Sequence, residues 1–110
     1  MNEKKCDLIV VIVNNGFSEL VMQAAKEKGA TGGTVIHGRG TGTDEAEKFF
    51  GITITPEKEM VLILVESSLK ADIMKEVCKR AGLSTPGHGI SFSPPVDGVV
   101  GIESLEKLFE

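Results

Sequence analysis

Apolar residues gather in two unbroken runs, Leu8–Val13 and Met60–Val65, and a stretch of helical spacing follows each. A β-branched run without polar alternation predicts a strand that is dry on both faces. After the first run, Asn14-Asn15-Gly16 turns the chain and Ser18 stands as N-cap to a helix over Glu19–Lys28. Gly29 ends that helix where a left-handed residue is favoured, and Lys26 and Lys28 suit its negative end. After the second run, Ser67 or Ser68 caps a helix whose Leu69, Ile73, Val77 and Ala81 fall on one stripe, and Gly82 stops it. Shorter strands over Thr34–His37 and Ile90–Ser93 follow the two helices, and Val99–Ile102 resumes as strand beyond a Pro94-Pro95 break. Ser104 caps a short terminal helix carrying Leu105, Leu108 and Phe109.

An insertion separates the halves. Asp44–Phe50 predicts a short helix capped by Thr43, Gly51 stops it, and Ile52-Thr53-Ile54-Thr55 alternates like a strand or extended arm before Pro56. The order is therefore β-α-β, an insertion, then β-α-β. The halves are weakly alike, since Lys26–Thr34 and Lys79–Gly89 both run from a helix end through a glycine cap and a threonine into further glycines. Duplicated split β-α-β units predict an α+β, ferredoxin-like fold with an antiparallel sheet. It forms one domain over residues 1–110, with an inserted loop at about 38–58 and a short C-terminal helix. Helices cover only one face of such a sheet, so the dryness of both long strands predicts an oligomer packed sheet against sheet.

Composition removes several classes of function. Hydrophobic residues at 41% and charged residues at 25% are ordinary for a globular domain and argue against disorder. All five aromatics are Phe and the net charge is −4, so the chain offers neither a base-stacking platform nor a basic footprint for nucleic acid. Cys6 and Cys78 lie far apart without metal-ligand spacing, which points to reduced thiols rather than a zinc site or a disulfide framework. The N-terminal apolar run is short, lacks a small-residue cleavage site and reads as the first strand of a cytoplasmic protein with no membrane insertion.

Candidate chemistry centres on Thr31–Thr43, TGGTVIHGRGTGT, where two glycine clusters flank a short strand. Glycines let a ligand reach main-chain N–H groups, which is binding chemistry rather than bond breaking. Arg39, set between Gly38 and Gly40, can fork onto a phosphate or carboxylate. The stretch matches neither a phosphate-binding P-loop nor a dinucleotide fingerprint. His37 and His88 each adjoin a glycine loop, placed either to contact ligand or to bond the main chain of a turn. His37 with Asp44, Glu45 and Glu47 lacks the spacing of a metal site, and a solvated charged face explains these acids as well. No Ser or Cys has a His and an acid at recognisable spacing, so the chain reads as a non-enzyme. Phe49-Phe50 cannot both face one surface of a short helix; one packs under the loop or stands out as a partner anchor.

Gly29-Ala30-Thr31-Gly32-Gly33-Thr34-Val35, then Gly38-Arg39-Gly40, a charged loop, Pro56, an apolar strand, a helix and Gly87-His88-Gly89-Ile90 make up an ordered set. Over nearly the whole chain it resembles the P-II nitrogen-regulatory proteins and their P-II-like relatives. The resemblance implies a homotrimer of ferredoxin-like subunits with ligand clefts between them. It also implies that the long loop after the second strand contacts a target, often a membrane transporter or a metabolic enzyme. Ligands in that family are usually adenine nucleotides, sensed rather than turned over, and an adenine nucleotide is the effector implied here. Carried over by position, Gly32, Gly33 and Thr34 line the cleft from one subunit. Gly38, Arg39, Gly40 and Thr41 stand at the base of the loop, and Gly87, His88 and Gly89 match the second glycine loop. Ile90 replaces the lysine that typical members carry there, Val99–Ile102 replaces an arginine pair, and the loop has no tyrosine. Few cations are left to neutralise a triphosphate. The resulting expectation is a cytoplasmic, homotrimeric P-II-like signalling protein that binds a small effector between subunits and reports it through residues 38–58, with Phe49 or Phe50 at the partner. Two other readings stand beside it: a trimeric CutA-like metal-binding protein using His37 or His88, and a structural oligomer without ligand.

Overall fold

A computed structural model describes residues 5–40, 47–49, 52–54, 56–85 and 88–101. Strand β1 (Cys6–Asn14) leads into helix α1 (Ser18–Glu27) and strand β2 (Thr34–Arg39); a ribbon of β3 (Glu47–Phe49) and β4 (Ile52–Ile54) follows. The second half repeats the first with β5 (Glu57–Glu66), α2 (Ser67–Ala81) and β6 (Gly89–Phe92), and ends in a short β7 (Pro95–Val96). The main sheet runs β2-β5-β1-β6 with every pairing antiparallel, and β7 pairs β1 beside β6. This is the split β-α-β arrangement expected of the duplicated pattern.

The strands' two-residue period divides their side chains between two faces. Ile9, Val11 and Val13 of β1 join Val61, Ile63 and Val65 of β5 on the inner face, buried against Val21, Ala24 and Ala25 of α1 and Ile73, Val77 and Ala81 of α2. The stripe expected on the second helix is the one buried, with Leu69 packed at its edge. Gly82, with φ 68°, closes α2 in the left-handed conformation that a glycine adopts without strain.

The opposite face is also apolar. The register lines up Ile36, Met60, Ile12 and Ile90 in one row across four strands, and Thr34, Leu62, Val10 and Phe92 in the next. Val99 folds over one end beside Cys6, Leu64 and Val96. At the other end Ile36, Ile90 and Phe92 remain 45%, 55% and 46% exposed in the single chain.

Several expectations change. Glu47–Phe49 is strand, paired with Ile52–Ile54 so that Phe49 opposes Ile52, rather than part of a helix. A helix of some seven residues is marginal, whereas β-branched Ile52-Thr53-Ile54 beside a two-residue Phe-Gly connection favours a hairpin. Ser18 is the first helical residue and not the cap: Phe17 holds that position without a side-chain bond. Glu66 likewise holds the cap position of α2 in place of a serine. The strand does stop at Phe92, before Pro94, but Pro95 itself opens β7, which keeps the β6 register on β1, and the Leu8 N–H donates to the Pro94 carbonyl at 3.0 Å. An edge strand tolerates prolines because its outer side needs no donor. Val99–Gly101 forms no strand. The expected terminal helix at Ser104 and the cap at Thr43 lie outside the described residues.

The duplication extends to the caps. Asp7 and Glu59 are the buried acidic residues among those described, and laying the first half on the second carries one onto the other, exchanging the ladder pairs Asp7–Val65 and Glu59–Val13. Each carboxylate thus meets the start of the other half's helix. Asp7 is hydrogen-bonded by Ser67 and paired with Lys70 Nζ at 3.2 Å.

Candidate functional site

At one end of the sheet β2 stops, β5 starts, β1 stops and β6 starts. An open groove of about 560 Å³ lies there, lined by Asn15, His37, Gly38, Arg39, Glu57 and Lys58. A smaller hollow of about 180 Å³ adjoins it, where Ile12, Ile36 and Met60 of the apolar face meet His37, Gly38, Arg39, Gly40 and Lys58. The site therefore offers two cations beside an apolar floor. Arg39 and Lys58 come together because Arg39 pairs with Glu57 and Gly38 with Lys58 in the β2–β5 ladder.

The cations are balanced by near neighbours. Arg39 Nη2 stands 3.9 Å from Glu57 Oε1 and is largely exposed, a loose pair in high dielectric. Lys58 Nζ donates to Asn14 Oδ1 at 2.6 Å. Glu57 also holds the turn after β1: its carbonyl accepts the Asn15 N–H at 3.3 Å, and its carboxylate the Asn15 amide at 3.4 Å. The Gly40 N–H is taken by the Pro56 carbonyl at 3.3 Å, which closes the base of the insertion.

Beneath the groove lies Glu59, 6% exposed. Its carboxylate accepts the Gly16 N–H at 2.6 Å, the Ser18 N–H at 3.2 Å and the Ser18 hydroxyl at 3.0 Å. It supplies the cap that α1 takes from no residue of its own. His37 Nδ1 lies 3.8 Å away, exposed on the groove side. Burial pushes the Glu59 pKa up, but the Ser18 and Gly16 hydrogen bonds and His37 outweigh it and hold the carboxyl below its ordinary value. The α1 dipole favours a carboxylate at this end as well.

Of the residues expected at the site, Gly38, Arg39 and Gly40 line the groove or hollow. Gly32, Gly33 and Thr34 lie at the far end of β2, where Thr34 pairs with Leu62. Gly33 has a packing role, since a Cβ there would meet Met22 Sδ at 2.8 Å and the Leu62 carbonyl oxygen at 3.0 Å. Gly32 faces open space. His88 is exposed and its backbone N–H donates to the Thr85 carbonyl at 3.3 Å. Gly89, with φ 145°, approaches β1 so closely that a Cβ would stand 2.4 Å from the Ile12 carbonyl oxygen. Thr41, Gly87 and Phe50 lie outside the described residues, and Phe49 is placed only by its backbone in β3.

Both glycine loops sit at the same end of the sheet but on opposite edges. Three inter-strand spacings part β2 from β6, roughly 14 Å. One small ligand can touch both loops only where the β2 edge of one chain meets the β6 edge of another. Asn14, Asn15, Glu57, Lys58 and Glu59 were not anticipated as site residues. Glu59 had a legible signal: it shares the parity of Val61, Ile63 and Val65, so an acid falls in the buried set and requires partners. Among the described residues no group of three His, Cys, Asp or Glu is placed to hold a metal ion, and no helix is long and apolar enough to cross a membrane.

Compared with known families, residues 6–106 match the model of the nitrogen regulatory protein P-II family. A comparison with curated proteins returned no match.

Proposed function

The chain belongs to the nitrogen regulatory protein P-II family, and from that membership we propose that it is a sensor: a homotrimer that binds a small anionic effector, an adenine nucleotide, between subunits. Family members are generally trimers that bind small effectors and partner proteins, and their role is regulatory rather than enzymatic. The observation that carries the reading is the groove at the base of the insertion, where Arg39 and Lys58 border an apolar floor open to a neighbouring chain. An adenine ring suits Ile12, Ile36 and Met60, and a phosphate suits the two cations.

The exposed rows of the sheet support self-association. Ile36, Ile90 and Phe92 leave an apolar face that a monomer does not keep in water. Packing that face against its copies also brings an edge with Gly38–Gly40 towards an edge with His88–Gly89. The effector then orders the insertion of residues 38–58, which presents or hides the partner surface carrying Phe49 or Phe50. The protein works in the cytoplasm on a transporter or a metabolic enzyme.

A thermal-shift panel tests the reading, with ATP, ADP, AMP, cyclic nucleotides, bicarbonate and divalent metals on wild type and R39A. A nucleotide that raises Tm in wild type and not in R39A supports it. No nucleotide response, or a metal response indifferent to Arg39, overturns it in favour of metal handling or a ligand-free oligomer.

A further inference from the structure

The turn between β1 and α1 is held by residues that line or underlie the groove. Three consecutive residues of β5 reach it: Glu57 holds Asn15, Lys58 holds Asn14, and Glu59 holds Gly16 and Ser18. Because strand residues alternate, Glu57 and Glu59 grip the turn from one face and Lys58 from the other.

The far end of the sheet supplies a comparison within the molecule. There the Ser67 N–H donates to the Lys5 carbonyl at 2.8 Å, as Asn15 does to Glu57, and Asp7 holds Ser67 as Glu59 holds Ser18. That end is closed. β5 passes into α2 with no residue between them, and buried Cys6 stands where the groove end has Lys58. At the groove end the extra turn Asn15–Phe17 separates strand from helix, the carboxylate is one methylene longer, and Lys58 reaches back to Asn14 at the end of β1. Phe17 in that turn is 42% exposed. A static helix cap requires none of these additions, as the Asp7 end demonstrates.

Building on the effector reading, we infer that occupation of the groove is transmitted to the start of α1. An anion in the groove draws Lys58 away from Asn14 and Arg39 away from Glu57, and the turn Asn14–Ser18 loosens with its exposed Phe17. Glu57 and Lys58 act as positioning residues for a second effector-responsive surface, apart from the insertion.

Amide hydrogen exchange, read residue by residue on the full chain, tests this. In K58M, which deletes the Asn14 contact, exchange at Gly16 and Ser18 rises about two- to tenfold, the factor one lost hydrogen bond gives an opening equilibrium. Exchange at Ser67 stays unchanged. Unaltered exchange at Gly16 and Ser18 overturns the coupling whatever the groove binds. The reciprocal arm uses S18A, which weakens the turn and touches nothing in the groove. By linkage it raises the affinity for whichever of ATP, ADP, AMP or inorganic phosphate shifts the Gly38–Gly40 signals. An affinity equal to or below that of wild type overturns the coupling. If none of the four probes moves Gly38–Gly40 in wild type, the effector reading fails, and the K58M exchange rates still decide the coupling.

Discussion

Removing the Glu59 carboxylate separates the account of α1 from one in which the helix starts by propensity alone. In E59A the Gly16 and Ser18 N–H groups and the Ser18 hydroxyl lose an acceptor that stands 2.6, 3.2 and 3.0 Å from them. A hydrogen bond to a charged group contributes about 1.5–3 kcal/mol, and one such bond without a replacement sets the scale. Gly16 is exposed, so water replaces part of what its N–H loses. The net loss is about 2–3 kcal/mol, which for a domain of this size lowers Tm by roughly 8–12 °C. E59Q keeps one acceptor oxygen and loses about half as much. The pH dependence carries the sign. The folded-state pKa of Glu59 lies below its ordinary 4.5, so its contribution is complete above that value and disappears as the pH falls through the folded-state value. The gap between wild type and E59Q is therefore constant near neutrality and closes in acid. Thermal melts of wild type, E59Q and E59A at one protein concentration, from pH 7 down to about pH 3, measure this. Equal melting at neutral pH, or a gap that persists unchanged in acid, refutes the buried-carboxylate cap.

Asp7 is depressed chiefly by the Ser67 hydrogen bond, with Lys70 adding to it, so D7N lowers Tm near neutrality and the deficit fades in acid; a deficit independent of pH in the same melts contradicts that assignment. G89A places a Cβ 2.4 Å from the Ile12 carbonyl oxygen at a φ of 145°, and a loss of about 1–3 kcal/mol in a denaturant melt is expected, against none if the strand can shift. I36D puts a charge on the open apolar face; analytical ultracentrifugation gives a smaller species for it than for wild type, and an unchanged mass removes that face from the oligomer interface.

The long elements were readable because their patterns were unambiguous. Leu8–Val13 and Met60–Val65 are the centres of β1 and β5, and the stripe Ile73, Val77 and Ala81 is buried as its spacing requires. Where elements were short, local signals misled. Asp44–Phe50 carries helix-forming acids, yet pairing across a Phe-Gly connection takes Glu47–Phe49 into a ribbon. Pro94-Pro95 interrupts the edge strand only briefly, because Pro95 pairs with Asp7 in the same register. The prominence of Arg39 and its glycines, which line the groove and hollow, is legible because a cation between glycines is a local signal. Lys58 and Asn15 were missed because their place in the groove depends on β5 crossing beside both β1 and β2, which no local window contains. Gly33 carries a packing constraint that sequence does not display, because a glycine lacking a Cβ for packing reasons reads the same as one that admits a phosphate.

The central claim is that Gly38–Gly40 of one chain and His88–Gly89 of another serve one effector. The most direct measurement follows the backbone amide signals of Gly40 and Gly89 during a titration with ATP, then ADP and AMP, on the intact oligomer. The account predicts that both signals move with a single dissociation constant, though roughly 14 Å separates the two edges within a chain, and that R39A abolishes both responses together. Movement of one loop without the other, or of neither with any of the three nucleotides, would contradict it.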